Sequence, residues 1–404
     1  MEGVRRLGRH IWPRRPSQPR FISNLAFTKL DPTVKIEEER MPAYDLGLFY
    51  PVRIGEVFKD RYQVLSKLGF GANSTVWLCR DLRKHNYAAL KVYVHSSRAS
   101  REGDILRHLA SVKSTHLGRT NVRTLLDTFK VNSCAGSHQC LVHEPFLTSM
   151  LHFQASFPDK TLVEALLKAA LERIFYALDY LHSDAHVVHT DIQAKNIMIA
   201  ARDESVFKEW DEVEAEEPTP RKISEDGGSN IIYRSRDFFQ RKGMRSVGLP
   251  ILCDFGEARV GLEHEGLIQP EIYRAPEVIL GMKWTEKVDI WNVGVMIWNL
   301  FEGRHMFRGL DEEKQYSEAH MLAEMTALLG PPPPNFLKRN EKSLEFWDES
   351  GNWRDQTEES EGILEGENKE LFMKFMRKML RWVPEERASA AELLEDEWMI
   401  TPCK

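Results

Sequence analysis

Alternation of apolar and polar positions begins at Arg61 and predicts a small sheet. Tyr62-Gln63-Val64-Leu65 precedes a Gly-rich turn, Leu68-Gly69-Phe70-Gly71-Ala72-Asn73-Ser74, and Thr75-Val76-Trp77-Leu78 follows it. With the run Tyr87 to Val94, these segments predict a hairpin capped by the glycines, then a third strand. Residues 99–110 switch to helical spacing, with Ile105, Leu106 and Leu109 on one side. Arg123 to Val131 and Gln139 to His143 return to strand character, and the sheet-rich part ends near Glu144-Pro145. Beyond it the period is helical. Leu162, Leu166, Ala169, Leu178 and Leu181 mark a long core helix over 161–182, and further helices are expected at 287–301, 316–329 and 370–382. Arg387 to Trp398 reads as one closing helix. Strands first and helices afterwards is an α+β pattern.

Three stretches fall outside this pattern. Residues 1–30 form a basic tail: Arg5, Arg6, Arg9, Arg14, Arg15 and Arg20 stand against Glu2, with Pro13, Pro16 and Pro19 between them. Residues 31–60, with Glu37-Glu38-Glu39, read as a partly ordered lead-in. Residues 202–226 hold ten acids against four basic residues, and 234–245 hold five basic residues and one acid. The span of about 202–248 shows no clear core periodicity and is expected to be an insertion between two functional strands. An irregular, charged run at 341–369 follows Pro331 to Pro334.

A net charge of −6 argues against a general nucleic-acid binder, and no apolar run is long enough to span a bilayer. Cys79, Cys134, Cys140, Cys253 and Cys403 offer neither a disulfide framework nor a zinc spacing, so a reducing compartment, cytoplasm or nucleus, is expected. The Arg-rich start also suits a mitochondrial presequence, although its prolines interrupt any amphipathic helix. A monomer is the default.

The candidate chemistry lies in an ordered set of short motifs. Gly69-x-Gly71-x-x-Ser74-x-Val76 sits between two strands, where glycines let the backbone approach phosphates and Val76 would cover an adenine ring. It is not a Walker loop, since no Gly-Lys-Ser/Thr follows. Lys91 stands in the apolar strand run Ala89-Leu90-Lys91 and calls for an anionic partner, for which Glu102 in the next helix is suited. His189-Thr190-Asp191-Ile192-Gln193-Ala194-Lys195-Asn196 pairs a carboxylate with an amide five residues on. Asp254-Phe255-Gly256 and Ala275-Pro276-Glu277 follow. Asp191 would accept or orient an attacking hydroxyl, while Asn196 and Asp254 would hold Mg²⁺ bridging the phosphates of ATP.

From about Arg61 to Trp398 the chain resembles the eukaryotic protein-kinase superfamily. The resemblance implies a bilobal fold, with a small β-rich N-lobe (61–146) and a larger helical C-lobe (147–400). It implies ATP and Mg²⁺ as cofactors. It places Leu68, Gly69, Gly71, Ser74, Val76, Ala89, Lys91, His143, Glu144 and Met198 at the nucleotide. Asp191, Lys91, Glu102, Gln193 and Lys195 take the catalytic positions, and Asn196 and Asp254 the metal positions. Asp289-Ile290-Trp291-Asn292-Val293-Gly294 looks like the helix that anchors the catalytic loop, and Arg387 is placed to pair with Glu277. His189, Phe255 and Leu106 match the spine that aligns the lobes. Within the superfamily the chain is similar to the SR-protein kinases of the CMGC group, in the compact fungal-type form. Thr190, the insertion before Asp254, Tyr273-Arg274-Ala275-Pro276-Glu277 and Leu310 to His320 carry that likeness. The implied partner is a basic, Arg/Ser-rich protein phosphorylated on serine.

Five positions depart from the pattern. Thr190 replaces the arginine that pairs with activation-segment phosphate in many kinases, and residues 257–276 have Tyr273 as their one hydroxyl side chain. An enzyme competent without activation-segment phosphorylation is therefore expected. Gln193 stands where the family has a lysine on the γ-phosphate, and a neutral amide cannot neutralise developing charge. Ser74 replaces a third glycine, and His143 is a polar gatekeeper. Pro270 also stands where related SR-protein kinases carry a threonine, which bears on substrate choice. Gln193, Ser74 and His143 motivate the alternative of a kinase-fold scaffold with little turnover. The acids of 202–226 and 311–318 would steer arginine-rich peptides or simply face water. Arg234-Ser235-Arg236 would alternatively fold back as a pseudosubstrate.

Overall fold

The computed structural model describes residues 16–20, 27–95, 99–223, 231–237, 239, 243–348, 350–353 and 369–403. Most of the basic tail and residues 354–368 of the charged run lie outside the described residues. The principal helices, in chain order, are α1 (Ala99–Ser111), α2 (Glu164–Asp179), α3 (Ser205–Glu216), α4 (Lys287–Glu302), α5 (Glu318–Leu329) and α6 (Lys369–Met379). The fold is bilobal, with one β-rich and one mainly helical unit. The first unit comprises residues 1–96, 129–145 and 204–236, and the second comprises 97–128, 146–203 and 237–404.

The β-rich unit is built on six strands: β1 (Val57–Phe58), β2 (Tyr62–Gly71), β3 (Ser74–Asp81), β4 (Asn86–Tyr93), β5 (Asp127–Ser133) and β6 (Gly136–His143). Their order is β1-β2-β3-β4-β6-β5. Period-2 alternation sends Val64, Trp77, Cys79, Leu90, Val92, Cys140 and Val142 to one face, where they form a core with Val52, Ile54 and Tyr233. The opposite face carries Val76, Ala89, Lys91 and His143, because Val76 pairs with Lys91 and Ala89 with His143.

Of the stretch at about 202–248 expected to be an unpatterned insertion, residues 204–236 belong to this same unit. Strands β7 (Phe146–Ser149), β8 (Val187–Val188) and β9 (Ile197–Ala201) precede it in the chain. Within it, α3 is followed by the hairpin β10 (Arg221–Ile223) and β11 (Ile231–Tyr233). Helix α3 buries Val206, Phe207 and Trp210, and Trp210 Nε1 donates to Ser66 Oγ at 3.1 Å. Two of its acids, Asp211 and Glu214, are buried as well. Asp211 takes ion pairs from Arg80 and Arg20 and a hydrogen bond from Tyr87 Oη.

The lead-in packs on the hairpin. Leu30 N–H donates to the Arg221 carbonyl at 3.0 Å, and Arg221 N–H donates to that of Thr28 at 3.0 Å. Residues 16–20 are also attached: Ser17 N–H reaches the Leu82 carbonyl at 2.7 Å, and Arg20 N–H reaches Gln63 Oε1 at 2.9 Å. Order therefore extends into the stretch read as a basic tail, because backbone donors and one arginine find partners on the sheet.

The helical unit centres on α4, whose residues Val288 to Leu300 are all buried, as expected of a helix apolar on every side. It stops at Gly303 in the left-handed region (φ 68°), where a Cβ would meet Thr161 Cγ2 at 3.1 Å. Strands β12 (Val247–Leu252) and β13 (Arg259–Val260) complete two small sheets, β12-β9-β7 and β13-β8. The closing helix expected over 387–398 is two short ones, Ala390–Leu394 and Glu397–Ile400. A Ser389–Glu392 capping box starts the first, and Asp396 accepts from Trp398 N–H to start the second, so a new N-cap breaks the run.

Candidate active site

Sheet register assembles the catalytic side of the helical unit. Residues 189–196 join β8 to β9, and β9 pairs antiparallel with β12, Ile197 opposite Leu252. The chain leaving β12 consequently runs beside Asn196, and Cys253 N–H donates to the Asn196 carbonyl at 2.9 Å. That contact brings Asn196 and the neighbouring Asp254 to the same end of the sheet.

Buried Asp289 in α4 shapes the loop. Its two carboxylate oxygens accept from the N–H groups of His189 and Thr190, each at 2.8 Å, and His182 Nε2 lies 2.9 Å away. A charged acceptor holding two successive amides stabilises the turn at Thr190, whose φ of 67° is costly for a β-branched residue. His189 Nε2 donates to the Cys253 carbonyl at 3.0 Å, and its ring sits 4.9 Å from that of Phe255.

Asp191 is gripped by two amides. Asn196 Nδ2 donates to its Oδ2 at 2.7 Å and to its carbonyl at 2.8 Å, while Gln193 Nε2 donates to Oδ1. Burial pushes the Asp191 carboxyl above its ordinary value of 3.8, with His189, Lys195 and these hydrogen bonds acting in the opposite sense. The carboxylate is thus a stronger base than a free aspartate. A cavity of about 310 Å³ adjoins it, lined among others by Thr190, Lys195, Glu257, Gln269, Pro270 and Arg274.

Beyond the catalytic loop, Thr190 Oγ1 donates to the Glu257 carbonyl at 2.8 Å. Glu277 and Arg387 form a buried two-pronged ion pair, with distances of 2.6 and 2.7 Å. Tyr273 is buried, and its hydroxyl accepts from Asn299 Nδ2 at 2.8 Å. Gln269, which sequence reasoning did not single out, has φ of 66° and clamps the segment through Val288 O and Ala275 N, at 2.9 and 2.8 Å. A lone glutamine in a loop gives no sequence signal for that task.

The β-rich unit holds the other expected residues. Leu68 and Val76 are half-buried, and Gly69 pairs with Val76 and Gly71 with Ser74 across the turn. A Cβ at Gly69 or Gly71 would meet no protein atom within 4 Å, so the backbone there is open to an approaching group. Lys91 is buried, with Nζ 5.0 Å from the Tyr93 ring centre. His143 is fully buried at the end of β6, and Glu144 follows it at the surface. Glu102 is buried in α1 and Met198 is half-buried in β9, both within the helical unit.

The donor set fits Mg²⁺. Asn196 commits its amide nitrogen to Asp191, which leaves its amide oxygen as a hard donor, and Asp254 follows Cys253, whose N–H is bonded to the Asn196 carbonyl. Among the described residues no group of three or more His, Cys, Asp or Glu side chains is placed to hold a metal ion. An amide oxygen and a carboxylate are hard donors of the kind Mg²⁺ takes alongside waters and phosphates.

The protein kinase domain family matches residues 62–211 and 229–399. A serine/threonine protein kinase of Aspergillus fumigatus is 56% identical over 95% of this chain and 96% of that one. The serine/threonine-protein kinase SRPK of Physarum polycephalum is 29% identical over 90% of this chain and 91% of its own. A crystal structure of a kinase domain superposes with a TM-score of 0.64 at 22% identity, covering 87% of this chain and 99% of that one, a likeness of fold.

Proposed function

This chain belongs to the protein kinase domain family and is an ATP-dependent serine/threonine protein kinase, and from that premise we propose that it phosphorylates serine in Arg/Ser-rich proteins without phosphate on its own activation segment. The observation that carries the proposal is the hydrogen bond from Thr190 Oγ1 to the Glu257 carbonyl at 2.8 Å. Where an arginine would tether the segment through a phosphate, a neutral hydroxyl here tethers it through backbone. Tyr273, the one hydroxyl side chain in 257–276, is buried and hydrogen-bonded, which withholds it from modification.

The substrate class is supported by the likeness to SR-protein kinases and by the name SRPK carried by the Physarum relative. Exposed Glu265, Glu271, Glu312 and Glu313, on the unit that holds Asp191, are suited to arginines. In this reading Asp191 orients the acceptor hydroxyl and takes its proton, with its carboxylate set by Asn196 and Gln193. Lys91 and the backbone of Gly69 to Ser74 hold phosphates, and Asn196 and Asp254 hold Mg²⁺. When bound, ATP supplies the phosphoryl group and the metal offsets its charge.

An ATP/Mg²⁺ transfer assay on an Arg/Ser-rich peptide and an acidic control, run beside Asp191→Asn, is the test. Label in the first peptide alone, lost in the variant, is expected. Equal labelling of the acidic control sinks the substrate class, and labelling that survives D191N sinks the role of Asp191.

A further inference from the structure

The hydroxyl of Ser235 is seated on a carboxylate. Ser235 Oγ donates to Glu37 Oε2 at 2.6 Å and its N–H donates to Glu37 Oε1 at 3.1 Å, so one glutamate of the lead-in is held by one residue of the insertion. Glu37 itself has a left-handed backbone (φ 53°), a conformation that its contacts must maintain. The same Glu37 Oε2 lies 3.4 Å from Lys67 Nζ, which also pairs with Glu38. The residue after Ser235 is bonded to the same strand, Arg236 N–H donating to the Lys67 carbonyl at 3.1 Å. Lys67 immediately precedes Leu68 and Gly69. Lead-in, insertion and the strand bearing the Gly-rich turn therefore meet at Ser235, all within the β-rich unit. The seat engages Ser235 and Arg236 within the β-rich unit.

We propose that Ser235 is a phosphorylation site whose modification unlatches the lead-in from the Gly-rich-turn strand. Ser235 lies between two arginines, which is the substrate chemistry proposed above, so the assignment of a second copy of this chain as the modifying enzyme rests on that reading. In the transfer, Ser235 Oγ forms a bond to the γ-phosphorus of ATP as the bond to the bridging oxygen of ADP breaks. The seryl proton passes to Asp191 of the acting copy, and ADP leaves. The product loses the O–H that Glu37 accepts and gains a charge of about −1.5 to −2 beside it. Two glutamates already share the single ammonium of Lys67, so a third anion at this point expels Glu37. Arg234 is exposed, with no side-chain hydrogen bond or ion pair among the described residues, and supplies a partner for the phosphate after release.

The test has two arms, both on the full chain. In the first, Asp191→Asn protein is incubated with ATP and Mg²⁺, with and without wild type, an Arg/Ser-rich peptide being present in each tube. Phosphate on Ser235 of the variant only when wild type is added supports the site. A labelled peptide with unmodified Ser235 overturns the site and leaves the substrate reading standing. No label on either overturns both. In the second arm, amide exchange is compared in wild type, Ser235→Ala and Ser235→Glu. The amides of Leu30, Glu39 and Met41, bonded in the lead-in, are expected to exchange at least about tenfold faster in S235E than in S235A. Equal rates in the two variants overturn the unlatching, because S235A removes the hydroxyl without adding charge.

Discussion

Glu38 of the lead-in and Lys67 of β2 form an ion pair closed to solvent, with side-chain exposures of 7% and 0%. Its neighbours in sequence each take a different partner. Glu37 holds Ser235, and Glu39 Oε1 accepts from Lys222 Nζ at 2.8 Å. Burial raises the Glu38 carboxyl above its ordinary value, and the attraction of Lys67 works against that rise. Breaking such a pair leaves an uncompensated charge, whereas replacing both partners by apolar groups removes the penalty along with the attraction. Glu38→Ala is accordingly expected to cost about 3 kcal/mol, softened by Glu37 and by the Tyr233 carbonyl at 3.2 Å from Lys67 Nζ. The double variant Glu38→Leu, Lys67→Met should lie within about 1 kcal/mol of wild type. Urea unfolding followed by tryptophan fluorescence checks both. Equal losses in single and double variants would mean that the pair holds nothing together.

This cluster shows where sequence reading stops. Strands around the glycines and the motifs from Lys91 to Glu277 are legible because each is local, a period or a spacing carried by neighbouring residues. Glu37-Glu38-Glu39 reads only as part of a partly ordered lead-in, and Lys67 draws no reading of its own, since nothing local says that Glu38 and Lys67 meet across 29 residues. Helix α3 is hidden for a related reason. Val206, Phe207 and Trp210 are spaced for one face, but Asp211 and Glu214 sit among them, and an acid run masks a buried stripe. Their cations, Arg80 and Arg236, come from distant parts of the chain. At the site, residue identities are readable and atom pairings are not. The grip of Gln193 on Asp191 is visible only in the structure.

That grip separates two tasks of one position. Gln193 keeps a hydrogen bond to the base but brings no positive charge toward the transferred phosphoryl group. Gln193→Lys is expected to raise kcat about tenfold, about 1.4 kcal/mol of added transition-state stabilisation. Gln193→Ala should lower kcat by a similar factor, with KM for ATP little changed, because it frees the Asp191 carboxylate without touching the nucleotide residues. Steady-state kinetics on an Arg/Ser-rich peptide decide. A lysine variant with unchanged kcat would show that another cation, Lys195 in the same loop, already fills that part.

Thr190 offers a test of constitutive competence. Thr190→Val keeps the shape and the β-branching at φ 67° but removes one of the two donors to the Glu257 carbonyl, the other being Arg259 Nη1. A hydrogen bond whose acceptor keeps another donor contributes about 0.5–1.5 kcal/mol. With the segment less tightly held, kcat is expected to fall about three- to tenfold, while phosphatase treatment of wild type leaves kcat unchanged. Thr190→Arg should not restore the activity lost in T190V, since residues 257–276 present no serine or threonine to carry a phosphate. Loss of wild-type activity on dephosphorylation, with a phosphosite mapped to that segment, would overturn the scheme.

Electrostatic steering of a basic substrate should come from one acidic stretch and not from the other. In the insertion, Asp211 and Glu214 are consumed by Arg20, Arg80 and Arg236. Deleting the insertion would also strip Trp210 and Tyr233 from the β-rich unit, so deletion confuses folding with recognition. The turn at Asp311–Lys314 differs. Glu312 and Glu313 are exposed there, and the turn is closed by a Leu310–Tyr316 bridge. The Tyr316 ring lies 5.5 Å from the guanidinium of Arg274, which lines the cavity beside Asp191. Glu312→Gln with Glu313→Gln is expected to raise KM for an Arg/Ser-rich peptide several-fold at low salt, an effect shrinking once the Debye length falls to about 8 Å at 0.15 M. Glu212→Gln with Glu216→Gln, equally exposed on α3, should leave KM within about twofold. KM measured for both pairs across a salt series settles the matter. A larger rise from the α3 pair would move substrate recognition to the insertion.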